Sequence, residues 1–137
     1  MLKVDLACGT DKKEGFIGID IRDYGQKYIR DIRERLPFEN ETVDEIHIWH
    51  ILEHFQWEEV KRILYECHRV LKRGSRINIQ VPDGTDPTQF RPYHVALYSL
   101  DSLNFINDKK GEWYDKFTLI KKERGKYGHL TFIIKKL

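Results

Sequence analysis

Residues 50–54 read His50-Ile51-Leu52-Glu53-His54, a short stretch rich in groups able to bind a metal or move a proton. The pattern H-x-x-E-H is a zinc-ligand spacing known from hydrolases. Histidines four apart on a helix share one face and could grip a single ion. The flanking residues argue against that arrangement. Residues 43–49 alternate as a strand does, so His50 falls at a strand end and not one helical turn below His54. A third ligand would also have to come from a distant part of a short chain. No bound metal is expected.

A second group of chemically suggestive residues lies near the N-terminus. VDLACGTDKKEGFIGID runs from a strand into a small-residue loop and returns to an acid, Asp20, that closes the next strand. Small residues let a backbone approach a ligand closely. A carboxylate at the end of the second strand can accept hydrogen bonds from both hydroxyls of a ribose. Glycine also serves plain turns, so the loop alone is not specific.

The elements that must position these groups are legible in the hydrophobic pattern. Residues 2–8, 16–21 and, more weakly, 28–32 read as strands, followed by residues 43–49. The clearest helix spans 56–71, where Val60, Ile63, Leu64, Cys67, Val70 and Leu71 recur at helical spacing. Glu58 and Glu59 suit its positive end and Lys72 and Arg73 its negative end. Gly74 is placed to close it as a left-handed cap. Residues 76–81 form a further strand, Ser99 can cap a short helix carrying Leu100, Leu103 and Ile106, and 116–122 with 129–135 read as a closing hairpin. Strands, then a helix, then a strand imply an α/β domain with a largely parallel sheet, a single domain over 1–137. Ligands bind such sheets beyond the carboxyl ends of the strands. Those ends carry residues 5–9, Asp20, Asp31, residues 49–54 and Asp83.

The ordered stretches VDLACG, GFIGIDI, DIRERLPF, DEIHIWHILEHF and ECHRVLKRGSRINIQVPD resemble the class I S-adenosylmethionine-dependent methyltransferases, in particular a small bacterial-type group. The resemblance runs from Leu2 to about Asp83, with a fainter continuation at His94, Tyr98 and Ser99. It implies a Rossmann-like sheet, S-adenosylmethionine as cofactor and methyl transfer as the activity. Position by position, it assigns Asp5, Ala7, Cys8 and Gly9 to the loop around the amino-acid part of the cofactor. Asp20 falls on the ribose diol with Ile21 beside the adenine, Asp31 and Ile32 on the adenine edge, and Trp49 and His50 near the sulfonium. Ala7 departs from the commoner glycine, Asp11 stands where glycine is frequent, and Arg73-Gly74-Ser75 replaces PGG.

A topological departure is larger. Residues 10–15 and 22–27 are too short for the crossover helices of such a sheet, which take roughly a dozen residues. One face should be thinly covered near the first strands, by loops or by a second copy in a homodimer. Methyl transfer needs nucleophile and methyl group aligned, sometimes with a base. His50, His54 and His94 are the candidate catalytic residues, with Glu53 behind them and Arg91 and Tyr93 nearby. Glu53 and His54 could equally pin the strand-to-helix turn. His47 and His129 read as structural and His68 as a surface residue.

Composition narrows the partners. The 137 residues are 40% hydrophobic and 34% charged, with a net charge of +2. That balance is no footprint for nucleic acid, and the patch of Lys121, Lys122, Arg124 and Lys126 suits a solvated hairpin. A small-molecule or glycan acceptor, on O or N, is expected ahead of nucleic acid. Cys8 and Cys67 lack metal-ligand spacing and suit reduced thiols in the cytoplasm. No run of ~18 apolar residues or signal peptide is found. The alternative is a cofactor-binding module that acts with a partner subunit and has no catalysis of its own.

Overall fold

The computed structural model describes residues 1–137. Parallel strands β1 (Lys3–Leu6), β2 (Ile17–Asp20), β3 (Tyr28–Ile29) and β4 (Val43–Trp49) come first. Helix α1 (Trp57–Val70) crosses to β5 (Leu71–Pro82), and β6 (Phe117–Arg124) and β7 (His129–Lys136) form the closing hairpin. All seven strands join one sheet in the order β3-β2-β1-β4-β5-β7-β6. Neighbours from β3 to β5 run parallel, and β7 lies antiparallel to both β5 and β6. This is the mostly parallel, Rossmann-like α/β sheet expected. No helix is long and apolar enough to cross a membrane.

The amphipathic stripe of α1 explains its place. Val60, Ile63, Leu64, Cys67 and Val70 are buried, while Glu58 and Glu59 occupy the first turn. The Glu59 carboxylate accepts from the Gln56 N–H at 3.2 Å, so an otherwise unpaired donor is met. Gly74 is not the helix cap. The chain passes from Val70 straight into extended Leu71, which is fully buried. The helix-end carbonyls are met by another group: Lys136 Nζ donates to His68 O at 2.7 Å and Leu71 O at 2.8 Å. Gly74 sits instead in the irregularity between the pairs Val43–Leu71 and Glu45–Arg76, with φ of +79°.

The two faces of the sheet differ. On one, Val4, Leu6, Ile46, Ile48, Ile77, Ile79, Val81, Leu130, Phe132 and Ile134 belong to the core, with α1, Leu103, Ile106, Trp113 and Phe117. The alternate residues of the same strands are mostly polar, Trp49 and Ile133 being exceptions. Glu45 lies among Lys3 at 3.6 Å, His47 at 3.6 Å, Arg76 at 3.8 Å and the Asn78 amide, which donates at 2.8 Å. Strands of fully covered parallel sheets read as near-continuous apolar runs. Here β1–β2 and β2–β3 cross without helices, and the strands alternate accordingly. Loop residues Phe16 and Lys13 supply what cover there is, against His47 and Trp49.

The helix expected from Ser99 does not form; the chain makes turns and a short 3₁₀ turn at Asn104–Asn107. Polar side chains there bond to backbone in competing ways. Ser102 Oγ accepts from the Ser99 N–H at 2.7 Å, and Asn107 Oδ1 accepts from the Leu119 N–H at 2.9 Å. His68, expected at the surface, is half-buried with its ring 5.3 Å from that of Phe117.

Candidate functional site

The carboxyl ends of β1, β2 and β4 converge, and loops from each build a trough there. Its larger part is a cavity of about 520 Å³ whose walls include Asp5, Ala7, Cys8, Gly9, Lys13, Trp49 and His50. A second part, of about 160 Å³, is walled by Asp20, Ile21, Asp31, Ile32, Arg33, Ile51 and Phe55. Ala7 belongs to both walls. The larger volume falls within the range of small-ligand sites.

Backbone conformation at the β1 and β4 ends is unusual. Ala7 and Gly9 both have φ of +57°, and His50 has φ of +55°. Only glycine adopts such values freely, so Ala7 and His50 hold strained positions. The strain turns the β1 loop back under Asp20, whose Oδ2 accepts from the Gly9 N–H at 2.9 Å. Asp20 Oδ1 accepts from the Arg22 N–H at 3.0 Å. Each oxygen retains a lone pair for a ligand. Asp5 is buried and accepts from the Lys13 N–H at 2.9 Å; burial raises its carboxyl above the usual range.

At the other end of the trough, Asp31 is engaged. Arg33 clamps it through Nη2 at 2.7 Å and also reaches Glu59 through Nη1 at 2.7 Å. The Arg33 hydrogen bond holds the Asp31 carboxyl below its ordinary value. Ile32 is buried in the core, and Ile21 is well exposed at the rim. Arg33, Ile51 and Phe55 were not singled out from the sequence, although Phe55 directly follows Leu-Glu-His and Arg33 follows Asp31-Ile32.

His50 joins the trough to a third cavity. Its Nε2 lies 2.7 Å from Gln80 Oε1, which fixes the proton on Nε2 and leaves Nδ1 basic. Burial holds the ring below the usual imidazole range, so it is neutral at neutral pH. The third cavity, of about 240 Å³, is walled by His50, Glu53, His54, Pro82, Gln89, Arg91, Tyr93 and His94. Its 90–97 segment is tied down by Val95 N–H and Ala96 N–H, which both donate to Glu53 O, at 2.9 and 3.1 Å. The His54 ring stacks on Tyr93 at 5.5 Å and meets His94 edge-on at 5.0 Å. Glu53 sits in the 3₁₀ turn Leu52–His54 and is 2% exposed. Burial pushes its carboxyl up to about 7, and Oε2 has no hydrogen-bond partner.

All three candidate catalytic histidines thus line one cavity, together with Glu53, Arg91 and Tyr93. His129, read as structural, lies edge-on to His50 at 4.7 Å. No sequence signal pointed to it; the β5–β7 register pairs Pro82 with His129 and brings the ring there. His47 stays away from the trough floor, buried between Phe16 and Trp49.

The fold and the strand-end trough define a class I methyltransferase domain. A methyltransferase-domain family model matches residues 6–79, more than half of the chain, and the chain belongs to that family. Among solved structures, one from Pyrococcus horikoshii OT3 is similar at TM-score 0.74 and 18% identity, over 98% of this chain and 81% of that one. An S-adenosylmethionine-dependent methyltransferase from Archaeoglobus fulgidus gives TM-score 0.75 and 18% identity, over 98% and 85%. One from Aquifex aeolicus gives 0.73 and 16%, over 100% and 82%. No curated protein sequence matches. S-adenosylmethionine is the cofactor of this class.

Proposed function

We propose that the protein transfers a methyl group from S-adenosylmethionine to an oxygen or nitrogen of a small-molecule or glycan acceptor. One observation carries this reading: the trough and the polar third cavity meet at a single residue, His50. The walls suit the cofactor's parts. Asp20 offers acceptor lone pairs for a ribose diol, and Ile21, Ile32 and Phe55 offer apolar surface for a base, with Asp31 at its edge. Asp5, Ala7, Cys8 and Gly9 leave room for an amino-acid moiety. His50 stands where the two cavities join, with Trp49 beside it on the trough wall.

When bound, the cofactor supplies an electrophilic methyl group on positive sulfur. The chain's own residues orient the acceptor and take up its proton. His50 Nδ1 is the basic atom nearest the junction. His54 and His94 face the acceptor from the far wall, with Arg91 and Tyr93 beside them. The low net charge supports an acceptor other than nucleic acid, and the two free cysteines suit a cytoplasmic setting.

A second reading is a cofactor-binding module completed by a partner or a second copy. The helix-free crossings favour it, because Ile21 and Trp49 stand exposed at the trough and Ile29 stands exposed on the edge strand β3. Light scattering at high concentration distinguishes a dimer from a monomer.

Calorimetry with S-adenosylmethionine tests the main reading. Asp20→Asn retains an acceptor for the Gly9 N–H but loses the charge, and should weaken binding at least about tenfold, or ~1.4 kcal/mol. Unchanged affinity would refute the assignment of Asp20. Binding without release of S-adenosylhomocysteine on any O or N acceptor supports the module instead.

A further inference from the structure

We propose that Glu53, His54 and His94 bind a divalent first-row transition cation in the third cavity. These residues each present a ligand atom, and the three atoms lie within 4.8 Å of one another. Bonds of about 2.0–2.2 Å from nitrogen and oxygen donors place tetrahedral ligands about 3.4 Å apart. Glu53 Oε1 and His54 Nε2 are already 3.6 Å apart. The remaining separation, up to 4.8 Å, has to close by movement of the half-buried His94 ring.

An independent observation concerns the same carboxylate. Glu53 is almost wholly buried, and its Oε2 meets no donor or acceptor. Ionised, the carboxylate has no hydrogen-bonded cation, the His54 ring standing off at 3.6 Å; protonated, a proton on Oε2 would find no acceptor. Neither form is satisfied by the protein alone, whereas a cation satisfies the ionised form. The frame is also prepared. Val95 and Ala96 donate to the Glu53 carbonyl, which holds His94 over the Leu52–His54 turn.

Two imidazoles and one carboxylate suit zinc, manganese or cobalt more than calcium or magnesium, which favour all-oxygen sets. Three protein ligands leave a coordination position open. Arg91, Gln89 and His50 line the same cavity, and an acceptor oxygen or nitrogen held there would complete the ion's coordination. With the ion in place, His54 and His94 act as ligands, and His50 alone keeps a free basic nitrogen.

This set is not the His50–His54 pair that H-x-x-E-H suggests. His50 lies outside the 3₁₀ turn, against Gln80 and His129. It also revises the expectation that the chain holds no metal.

The site shares the acceptor cavity of the proposed transferase, but ion binding is measured with neither cofactor nor acceptor, so each claim fails separately. Co²⁺ titrated into the metal-free 137-residue chain should give saturable visible bands for one nitrogen–oxygen site, without thiolate charge transfer, and Zn²⁺ should displace them. Changes beside a metal ligand cost about 10–100-fold in affinity, so His94→Ala and Glu53→Gln, which alter ligands, should each weaken Co²⁺ at least about tenfold. His68→Ala, on the far end of α1, should leave it unchanged. No saturable binding at millimolar Co²⁺, thiolate bands, or wild-type affinity in His94→Ala overturns the proposal. Should Glu53→Gln fail to fold, His94→Ala on its half-exposed loop decides alone.

Discussion

Asp83 and Glu53 are both buried carboxylates just beyond strand ends, 3% and 2% exposed, yet their surroundings are opposite. Asp83 Oδ1 accepts from the Thr85 N–H at 2.9 Å and its hydroxyl at 2.6 Å, and Oδ2 accepts from Arg124 Nε at 2.8 Å. The Thr85 hydroxyl and Arg124 hold its carboxyl below the ordinary value. Glu53 has one distant histidine neighbour and an unpaired oxygen, and its carboxyl is pushed up. Burial is therefore not what separates them. Partners are: a fully paired carboxylate holds a corner together, and an unpaired one has capacity left for something that comes and goes. The Glu53 side of the molecule also contains the left-handed Ala7 and His50, whereas the backbone around Asp83 is relaxed.

The comparison can be broken by mutation. Asp83→Ala should have the largest effect on stability, a loss of about 2–3 kcal/mol in urea unfolding, since charge-assisted hydrogen bonds to both Thr85 and Arg124 vanish. A loss under about 0.5 kcal/mol would mean the pairing is ornamental. The same corner predicts an acid limb. Asp83 has a folded pKa below its unfolded value of 3.8. Its contribution is therefore present above that value and lost as pH falls through the folded pKa. Asp83→Asn should flatten this limb of the stability profile, and an unaltered limb would assign it to other carboxylates.

Glu53→Gln, measured without divalent ions, should change stability by less than about 1 kcal/mol, because no partner is lost and no charge need be buried. A penalty as large as that of Asp83→Ala would erase the distinction between the two sites. Ala7→Gly should give the smallest effect. Relief of left-handed strain of about 1–2 kcal/mol is offset by about 0.5–1 kcal/mol of glycine entropy. From the middle of each range the net expectation is a gain of about 0.7 kcal/mol in thermal unfolding, and a clear loss would show that the φ of Ala7 is not strained.

Much of the scaffold was legible because it rests on local periodicity. The α1 stripe from Val60 to Val70 repeats at helical spacing, and EIHIW and RINIQV alternate at strand spacing. The alternation carried further information: parallel strands that alternate have a bare face, which agrees with the short connectors at 10–15 and 22–27. Local reasoning failed at Gly74 and after Ser99 for one cause. Lys136, far away in sequence, meets the carbonyls that a glycine cap would have served, and Asn107 is drawn to β6.

Residue chemistry and its local frame were thus determined by the sequence alone: a small-residue loop before Asp20, histidines and a glutamate after β4, and a helix to carry the chain to β5. Which of those groups meet was decided only by the tertiary structure. His94 reaches Glu53 and His54 because the segment after β5 folds back onto the Glu53 carbonyl, and His129 reaches His50 because β7 inserts beside β5. Spacing along a helix or strand follows from sterics within a few residues. Whether a buried oxygen such as Glu53 Oε2 finds a partner depends on every chain segment that packs around it, and no local pattern records that.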